Sequence, residues 1–456
     1  MYRVNAWKKY DSKREKEVMS FAEGYKEFLS ASKTERLAVK EAVKRLEEKG
    51  FKEASAFKSV KPGDKLYFIN RNKNVCAFVV GQKGVTEGLR ILGAHIDSPR
   101  LDFKEHPLYE KNEFVLADTH YYGGIKKYQW VTIPLALHGV VCKLDGSTVE
   151  VNIGEDENDP VVGISDLLVH LSQDQMTKPA AKVIEGEALD ITIANRPLQE
   201  AEQNAVKQAV LAILKKKYGI TEEDLVSAEI EVVPAGKARD YGLDCSMVAG
   251  YGHDDRSCAY TSLMAFLEVE KPLYTSCVLL VDKEEVGSIG STGAQSLFFE
   301  NVIAKLLELS GDKCPLWSAR IAMENSKMLS SDVSAAFDPL FPGVVEANNA
   351  AYFSYGLVFN KYTGSRGKSG CNDAHAEYYA WVRRVMEEAG VCWQNSELGK
   401  VDQGGGGTIA YIMGNGNMNV IDAGIPVLNM HAPMEIVSKA DLFEAYRGYL
   451  AFLKAE

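Results

Sequence analysis

The chain has 456 residues, of which 46% are apolar and 25% are charged, as is typical of a globular protein with a sizeable core. Its 52 Lys and Arg and 63 Asp and Glu residues give a formal net charge of −11, which argues against binding to nucleic acid or to an anionic membrane. No apolar run approaches the roughly 18 residues that span a membrane. The length predicts two or three domains, or one domain with a large insertion.

The amino-terminal segment and the cysteines bear on the location of the protein. Residues 1–16 are charged and contain no apolar stretch of the kind found in a signal peptide. The eight cysteines form no C-x-x-C motif, which argues against a zinc ribbon, a thioredoxin-type site and a disulfide scaffold. The sequence therefore predicts a cytoplasmic protein.

In the first hundred residues, helices are predicted to precede strands. Thr34 is expected to cap a helix that ends near Glu48. Short apolar runs predict three strands, at 66–69, 75–80 and 90–94. The polar residues 70–74 are expected to form the turn between the first two of them.

The pattern changes between residues 100 and 240, where short β-like runs alternate with acidic loops and one periodic helix is predicted at 199–217. We interpret 100–240 as an inserted domain, with 1–99 and 241–456 as the two parts of the catalytic domain. The alternative is a long excursion within a single domain.

After residue 241, strands and helices alternate. Helices are predicted at 257–268, 294–309, 373–388 and 438–454, the last capped by Ser438 with Asp441 at its third position. Strands are predicted at 275–281, 320–323, 419–421 and 426–430. Buried strands that alternate with helices indicate an α/β fold, with a mixed, mostly parallel sheet covered by helices on both faces.

Five polar segments follow predicted strands or precede a predicted helix: His95–Asp97, His253–Arg256, Asp282–Ser288, Ser330–Asp332 and Asn429–Pro433. In open α/β sheets, sites form at the carboxyl ends of strands. Each segment also has an ordinary structural interpretation, such as a helix cap, an Asx turn, a surface charge cluster or a buried histidine.

The spacing within two of these segments suits a metal site. Strand residues two apart face the same side, so His95 can bind a metal while Asp97 accepts a hydrogen bond from its other ring nitrogen. Adjacent glutamates point in different directions, so Glu285 can bind metal while Glu284 remains free as a general base.

Together the segments supply two imidazoles and three carboxylates, from His95, Asp255, Glu285, Asp332 and His431. Nitrogen and oxygen donors without thiolates suit two zinc-like ions. Two such ions about 3.5–4 Å apart polarise a carbonyl and stabilise an attacking oxygen. These positions span more than three hundred residues, so spacing alone does not establish the site.

The order of these motifs resembles the dinuclear zinc aminopeptidases, and more closely the bacterial branch of the aspartyl aminopeptidase family, over nearly the whole chain. The resemblance implies a zinc-exopeptidase fold with two Zn²⁺ per subunit, for which Co²⁺ or Mn²⁺ would substitute. It implies that Asp255 bridges the metals before a cis peptide to Arg256, and that Glu284 is the base. The remaining ligands would be His95 and Asp332 for one metal and Glu285 and His431 for the other.

The inserted segment resembles the dimerisation lobe of this family. Relatives send a histidine from this place into the active site of a neighbouring subunit, which implies that His170 stabilises the oxyanion in trans. A zinc ligand and an ordinary lobe histidine are the alternatives for His170. Relatives assemble as tetrahedral dodecamers, so a homo-oligomer built from dimers is expected.

The family also implies a preference for acidic N-terminal residues. Lys361 is a candidate partner for an acidic group of the substrate, or else a solvated loop lysine. The run 404–407, with Gly405 and Gly406, can offer backbone N–H groups to a substrate carbonyl. The alternative is a tight loop that only glycine can follow.

The expected function is that of a metallo-aminopeptidase, which releases amino acids from peptides that have a free N-terminus. One alternative is a metal-dependent amidohydrolase that deacylates N-acyl amino acids. Another is a non-catalytic, self-assembling shell or cargo protein with the same fold. Neither nucleic acid nor membrane is an expected partner.

Overall fold

The computed structural model describes residues 4–456, which divide into two compact units. The first unit contains the residues up to Asp97, Ala238–Met430 and Glu435–Glu456. The second contains Ser98–Lys237 and His431–Met434. The expected domain boundaries at 99/100 and 240/241 lie close to these divisions. The sequence did not predict that residues 431–434 belong to the second unit.

The chain contains helices and strands throughout. The helices are α1 Ser12–Ala31, α2 Glu35–Glu48, α3 Gln173–Met176, α4 Ala180–Val183, α5 Ala205–Tyr218, α6 His253–Leu267, α7 Phe298–Leu309, α8 Pro315–Glu324, α9 Ala376–Glu388, α10 Ala410–Asn415 and α11 Lys439–Lys454. The strands are β1 Lys52–Glu53, β2 Lys65–Asn70, β3 Asn74–Val79, β4 Leu89–His95, β5 Arg100–Lys111, β6 Phe114–Tyr122, β7 Leu135–Cys142, β8 Thr148–Ile153, β9 Ile191–Ala194, β10 Ala228–Pro234, β11 Arg239–Tyr241, β12 Met247–Gly250, β13 Thr275–Val281, β14 Lys327–Ser330, β15 Ser334–Ala335, β16 Leu357–Asn360, β17 Trp393–Asn395, β18 Asn419–Gly424, β19 Pro426–Leu428 and β20 Glu435–Ser438. Among the described residues, no helix is both long and apolar enough to cross a membrane.

A nine-stranded sheet forms the centre of the first unit, in the order β1-β2-β3-β13-β4-β14-β18-β16-β17. Its middle strands β13, β4, β14 and β18 are parallel, and antiparallel pairings flank them on both sides. The carboxyl ends of these four strands therefore meet at one edge of the sheet. The predicted mixed α/β architecture is confirmed.

Helices pack on both faces of this sheet. In β13, Val278 and Leu280 contact one apolar cluster, whereas Cys277 and Leu279 contact another. The first cluster includes buried residues of α1, α2, α6, α9 and α11, and the second includes those of α7, α8 and α10. Since neighbouring strand residues point to opposite faces, a strand covered on both sides must be apolar throughout.

Two further sheets complete the units. The first unit also has a five-stranded sheet in the order β11-β12-β20-β19-β15. The second unit is built on an antiparallel six-stranded sheet in the order β8-β7-β10-β5-β6-β9. Helix α5 packs against this sheet with Val206 and Val210 buried.

Two local predictions are wrong. The apolar run 320–323 belongs to helix α8, which starts with Pro315, and the adjacent strand is β14. A short apolar run cannot distinguish a buried strand from a helix segment by periodicity alone. Ser438 precedes α11, but its side chain makes no capping bond, and the carboxylate of Asp441 instead accepts backbone N–H bonds from Ser354 and Gly356, each at 2.7 Å.

Candidate metal centre

His95 and Asp332 lie at the carboxyl ends of the neighbouring parallel strands β4 and β14. The Nε2 atom of His95 is 3.9 Å from a carboxylate oxygen of Asp332 and 3.1 Å from Oδ1 of Asp254, the second residue of α6. One potential ligand atom from each of these three residues lies within 4.8 Å of the other two. The strand ends therefore bring together one imidazole and two carboxylates.

The opposite side of the His95 ring faces Asp97. The Nδ1 atom is 3.0 Å from the carbonyl oxygen of Asp97 and 3.2 Å from its carboxylate. This leaves Nε2 directed at the carboxylate cluster, as the two-residue spacing suggested. Burial disfavours the charged form of His95, but the carboxylates of Asp254 and Asp97 outweigh it and raise its pKa well above the usual value.

The structure brings Asp254, rather than its neighbour Asp255, into this group. The cis peptide lies between Asp254 and Asp255, so its expected position between Asp255 and Arg256 is wrong. Asp255 is fully buried next to the group, and burial raises the pKa of its carboxyl well above the usual range. A sequence cannot reveal which of two adjacent aspartates faces a distant histidine.

Glu284 and Glu285 follow strand β13 in a short 3-10 turn. The backbone N–H groups of both residues donate to the carboxylate of Asp97, at 3.1 and 3.2 Å. The Glu284 carboxylate lies 3.9 Å from Nε2 of His95. Asp97 therefore connects His95 to the turn that carries the two glutamates.

The cluster is electrostatically unfavourable without a cation. Burial, followed by the negative charge of Asp255, raises the pKa of Asp332 well above its usual range. Carboxylates that are buried together require a positive partner. An imidazole nitrogen and carboxylate oxygens, with no thiolate, form a donor set that fits zinc.

The predicted substrate-binding residues make contacts within the chain. Lys361 pairs with Asp373, and both side chains are about two-fifths exposed, at 40% and 42%. The N–H of Gly406 donates to the carbonyl of Thr363 at 2.9 Å, so it is used inside the loop. Gly405 has a φ of +118°, and a Cβ there would lie 2.4 Å from the Cα of Ser365. Glycine is therefore required at 405 both by the positive φ and by the lack of space for a side chain.

The other two predicted histidines belong to the second unit. His170 is exposed in the short turn Val169–Leu171. His431 has a φ of +66°, and its Nδ1 atom lies 2.8 Å from the carbonyl oxygen of Gly124. Their proposed roles stay predictions.

Comparison with known proteins places the chain in a family. A model described as Aminopeptidase I zinc metalloprotease (M18) matches residues 28–453. A relative from Clostridium acetobutylicum, named probable M18 family aminopeptidase 1, is 57% identical over 454 residues, which are 98% of this chain and 97% of the relative. The crystal structure of an M18 family aminopeptidase from Thermotoga maritima is 45% identical, with a TM-score of 0.96 over 100% of this chain and 99% of that one.

A more distant structure, the S. cerevisiae mApe1 dodecamer, shares the fold at 20% identity, with a TM-score of 0.75 over 95% of this chain and 96% of that one. The resemblance that the sequence motifs indicated is thus confirmed at the level of the family. The chain belongs to the M18 family of aminopeptidase I zinc metalloproteases and is, as its sequence predicted, a zinc-dependent aminopeptidase.

Proposed function

We propose that the chain uses two zinc ions per subunit and that His95, Asp254 and Asp332 are among their ligands. The supporting observation is the group of three ligand atoms within 4.8 Å of one another. Asp254 replaces Asp255 as the proposed shared carboxylate, because its Oδ1 faces His95. Glu285 and His431 stay the predicted ligands of the second ion, and Co²⁺ or Mn²⁺ would substitute.

Glu284 is the proposed general base. Its carboxylate lies 3.9 Å from Nε2 of His95, and its backbone N–H donates to the carboxylate of Asp97, so the proposed base stands beside a proposed ligand. It takes a proton from the attacking water and returns it to the leaving amine. Zinc bound at the cluster would supply Lewis-acid polarisation of the scissile carbonyl and lower the pKa of the attacking water.

Asp97 is proposed to orient this machinery and His170 to complete it. Asp97 accepts from both glutamate N–H groups and faces Nδ1 of His95, so it fixes the base and the imidazole together. His170, exposed on the second unit, is proposed to donate to the oxyanion in the site of a neighbouring copy.

The preferred substrate is proposed to be a peptide with a free, acidic N-terminal residue. Lys361 is the candidate partner of the acidic side chain, since its ion pair with Asp373 leaves it partly exposed. Gly405 and Gly406 are proposed to shape the adjoining loop. The expected location is the cytoplasm.

A homo-oligomer based on dimers is proposed, with a tetrahedral dodecamer as the complete assembly. Four exposed apolar residues surround His170: Leu167, Leu168, Val169 and Leu171. Apolar patches of this kind mark interaction surfaces. The solved mApe1 structure is itself a dodecamer.

A panel of aminoacyl substrates tests the proposal, with the N-terminus free or acylated and the first residue varied. Free-amine substrates are expected to be cleaved, acidic ones fastest, by enzyme that holds two zinc ions per subunit. Removal of zinc by a chelator is expected to abolish cleavage, and added Zn²⁺ to restore it. Cleavage of acylated substrates alone would favour a deacylase, and no cleavage at all would favour a shell or cargo protein.

A further inference from the structure

The two glutamates lie in a long loop, residues 282–296, that we call the base loop. It leaves strand β13 at Asp282, passes through the turn at Glu284–Val286, and returns to pair with its own start through a bridge between Asp282 and Gly293. We call this pairing of Asp282 with Gly293 the neck of the base loop, and residues 291–293 its returning limb. The position of Glu284, between the two, depends on the contacts that hold the returning limb.

The neck is held by a buried side-chain bond. The hydroxyl of Thr292 donates to the carboxylate of Asp282 at 2.6 Å, and both residues are at least 97% buried. A Cβ at Gly293 would lie 2.2 Å from the carbonyl oxygen of Ser288, so the two limbs are in close contact. The N–H of Ser288 in turn donates to the carbonyl of Lys283, directly before the base. Backbone contacts therefore connect residues 291–293, through Ser288, to Lys283 next to Glu284.

The returning limb is anchored from outside the base loop by the hairpin between β2 and β3. The side-chain amide of Asn74 donates to the carbonyl of Thr292 at 2.5 Å, and that of Asn70 donates to the carbonyl of Ser291 at 2.8 Å. Asn70 also donates to Oδ1 of Asn74 at 3.1 Å, and the two residues are paired across the hairpin.

This arrangement is more specific than ordinary packing. Asn74 is only 1% exposed, so its amide is shielded from bulk solvent, and loss of its bond to the carbonyl of Thr292 is costly. Both asparagines bind backbone carbonyls on consecutive residues of the base loop, which fixes its position along the hairpin as well as its distance. If the amide of Asn74 is removed, the buried carbonyl of Thr292 loses this hydrogen-bond donor.

We propose that Asn74, supported by Asn70, is a positioning residue for catalysis that fixes the base loop and thereby the general base. This inference rests on the proposed role of Glu284. It assigns a catalytic purpose to a polar hairpin more than 200 residues away in the chain.

The test compares three substitutions in the zinc-loaded enzyme: Asn74→Leu, Asn70→Leu and the control Asn325→Leu. Leucine keeps the approximate shape of asparagine and removes its donor. Asn325 also donates its side-chain amide to a backbone carbonyl, that of Thr86 at 2.9 Å, but it is exposed and lies beside the amino end of strand β14, away from the base loop. The readouts are kcat, KM, bound zinc and Tm.

Asn74→Leu is expected to lower kcat by about tenfold to a hundredfold, as for a small misplacement of a catalytic group, with KM changed by less than about twofold. Asn70→Leu is expected to have a smaller effect in the same direction, and Asn325→Leu is expected to leave kcat unchanged. Bound zinc is expected to stay at the wild-type level. In a Glu284→Gln background, Asn74→Leu is expected to cause no further loss, because both changes act on one group.

Wild-type kcat in folded Asn74→Leu would overturn the inference. An equal loss of kcat in Asn325→Leu would also overturn it. A full further loss of kcat when Asn74→Leu is added to Glu284→Gln would do the same, because either result would indicate general destabilisation. If Asn74→Leu does not fold, the same criteria applied to Asn70→Leu decide. Wild-type activity in Glu284→Gln alone would overturn the proposed base and is distinguishable from these results.

Discussion

At the scale of single residues, the two-residue spacing of His95 and Asp97 places the Asp97 carboxylate against one ring nitrogen of the histidine. The imidazole presents Nε2 to the carboxylates and Nδ1 to Asp97. Asp97 also accepts the N–H groups of Glu284 and Glu285. One carboxylate thus contacts a proposed ligand and the turn that carries the proposed base, and it is fully buried.

Replacement of the proposed base tests its role directly. Glu284→Gln is expected to lower kcat by about 10²–10⁴-fold, because an amide cannot accept the proton of the attacking water. Bound zinc and KM are expected to change little, since Glu284 is not a proposed ligand. The measurement is steady-state kinetics with metal analysis, and a near-normal kcat would contradict the assignment.

A buried carboxyl next to the site predicts a pH dependence of stability. Burial raises the pKa of Asp422 to about 7, and the hydroxyls of Thr408 and Ser330 offset part of this shift. The folded chain therefore keeps a proton that the unfolded chain releases above about pH 4, so stability falls as the pH rises from about 4 to 7.

The asparagine in the Asp422→Asn variant cannot ionise, so the substitution is expected to remove the fall in stability between about pH 4 and pH 7. Relative to the wild type, the free energy of unfolding is expected to be higher by roughly 2–4 kcal/mol at pH 8, with a much smaller difference at pH 4. Denaturant unfolding at the two pH values measures it. An equal effect of the substitution at both would contradict a raised pKa.

At the scale of elements, strong patterns were easier to predict than short ones. The sequence predicted strand β13 at its observed bounds, and the helix capped by Thr34 is observed at Glu35–Glu48 with the Thr34 hydroxyl accepting from Leu37. The run 320–323 was misassigned because four apolar residues carry too little periodicity. Tertiary packing, rather than local propensity, decides such segments.

One close approach between elements predicts a sensitive glycine. A Cβ at Gly424, the last residue of β18, would lie 1.6 Å from the carbonyl oxygen of Asp332. Gly424→Ala is expected to displace Asp332, weaken zinc binding by about tenfold or more and lower the free energy of unfolding by about 1–3 kcal/mol. Zinc titration and denaturant unfolding measure these effects.

Gly343→Ala is the matched control, because a Cβ there meets no atom within 4 Å. It is expected to preserve zinc affinity. If Gly424→Ala bound zinc with wild-type affinity, the backbone contact with Asp332 would not be important for the site.

At the scale of the whole molecule, the exposed apolar residues around His170 predict an interface between copies. Leu168 and Leu171 are 55% and 69% exposed. The double variant Leu168→Glu/Leu171→Glu is expected to dissociate the assembly, because charged groups in an apolar interface lose hydration without gaining partners. Sedimentation velocity measures the change.

The control is Leu144→Glu, at a fully exposed leucine in the turn between β7 and β8. It is expected to leave the sedimentation coefficient unchanged. An unchanged assembly in the double variant would exclude this run as the interface, and equal dissociation in the control would show that the effect is not specific to it.

The sequence by itself determined the chemical inventory of this protein and the family to which it belongs. Histidine and carboxylate pairs stand at the ends of apolar strands, and that order is visible without a structure because it depends only on local pattern. The identity of the base candidate and the absence of a thiolate from the set follow from the same motifs.

The tertiary structure alone decided which atoms meet. Asp254, and not Asp255, faces His95 from 159 positions away, and Asn74 reaches Thr292 over 218. Lys361 finds Asp373, and Gly406 uses its N–H inside the loop. Such contacts depend on the direction of each side chain after packing, and neither spacing nor composition encodes that direction.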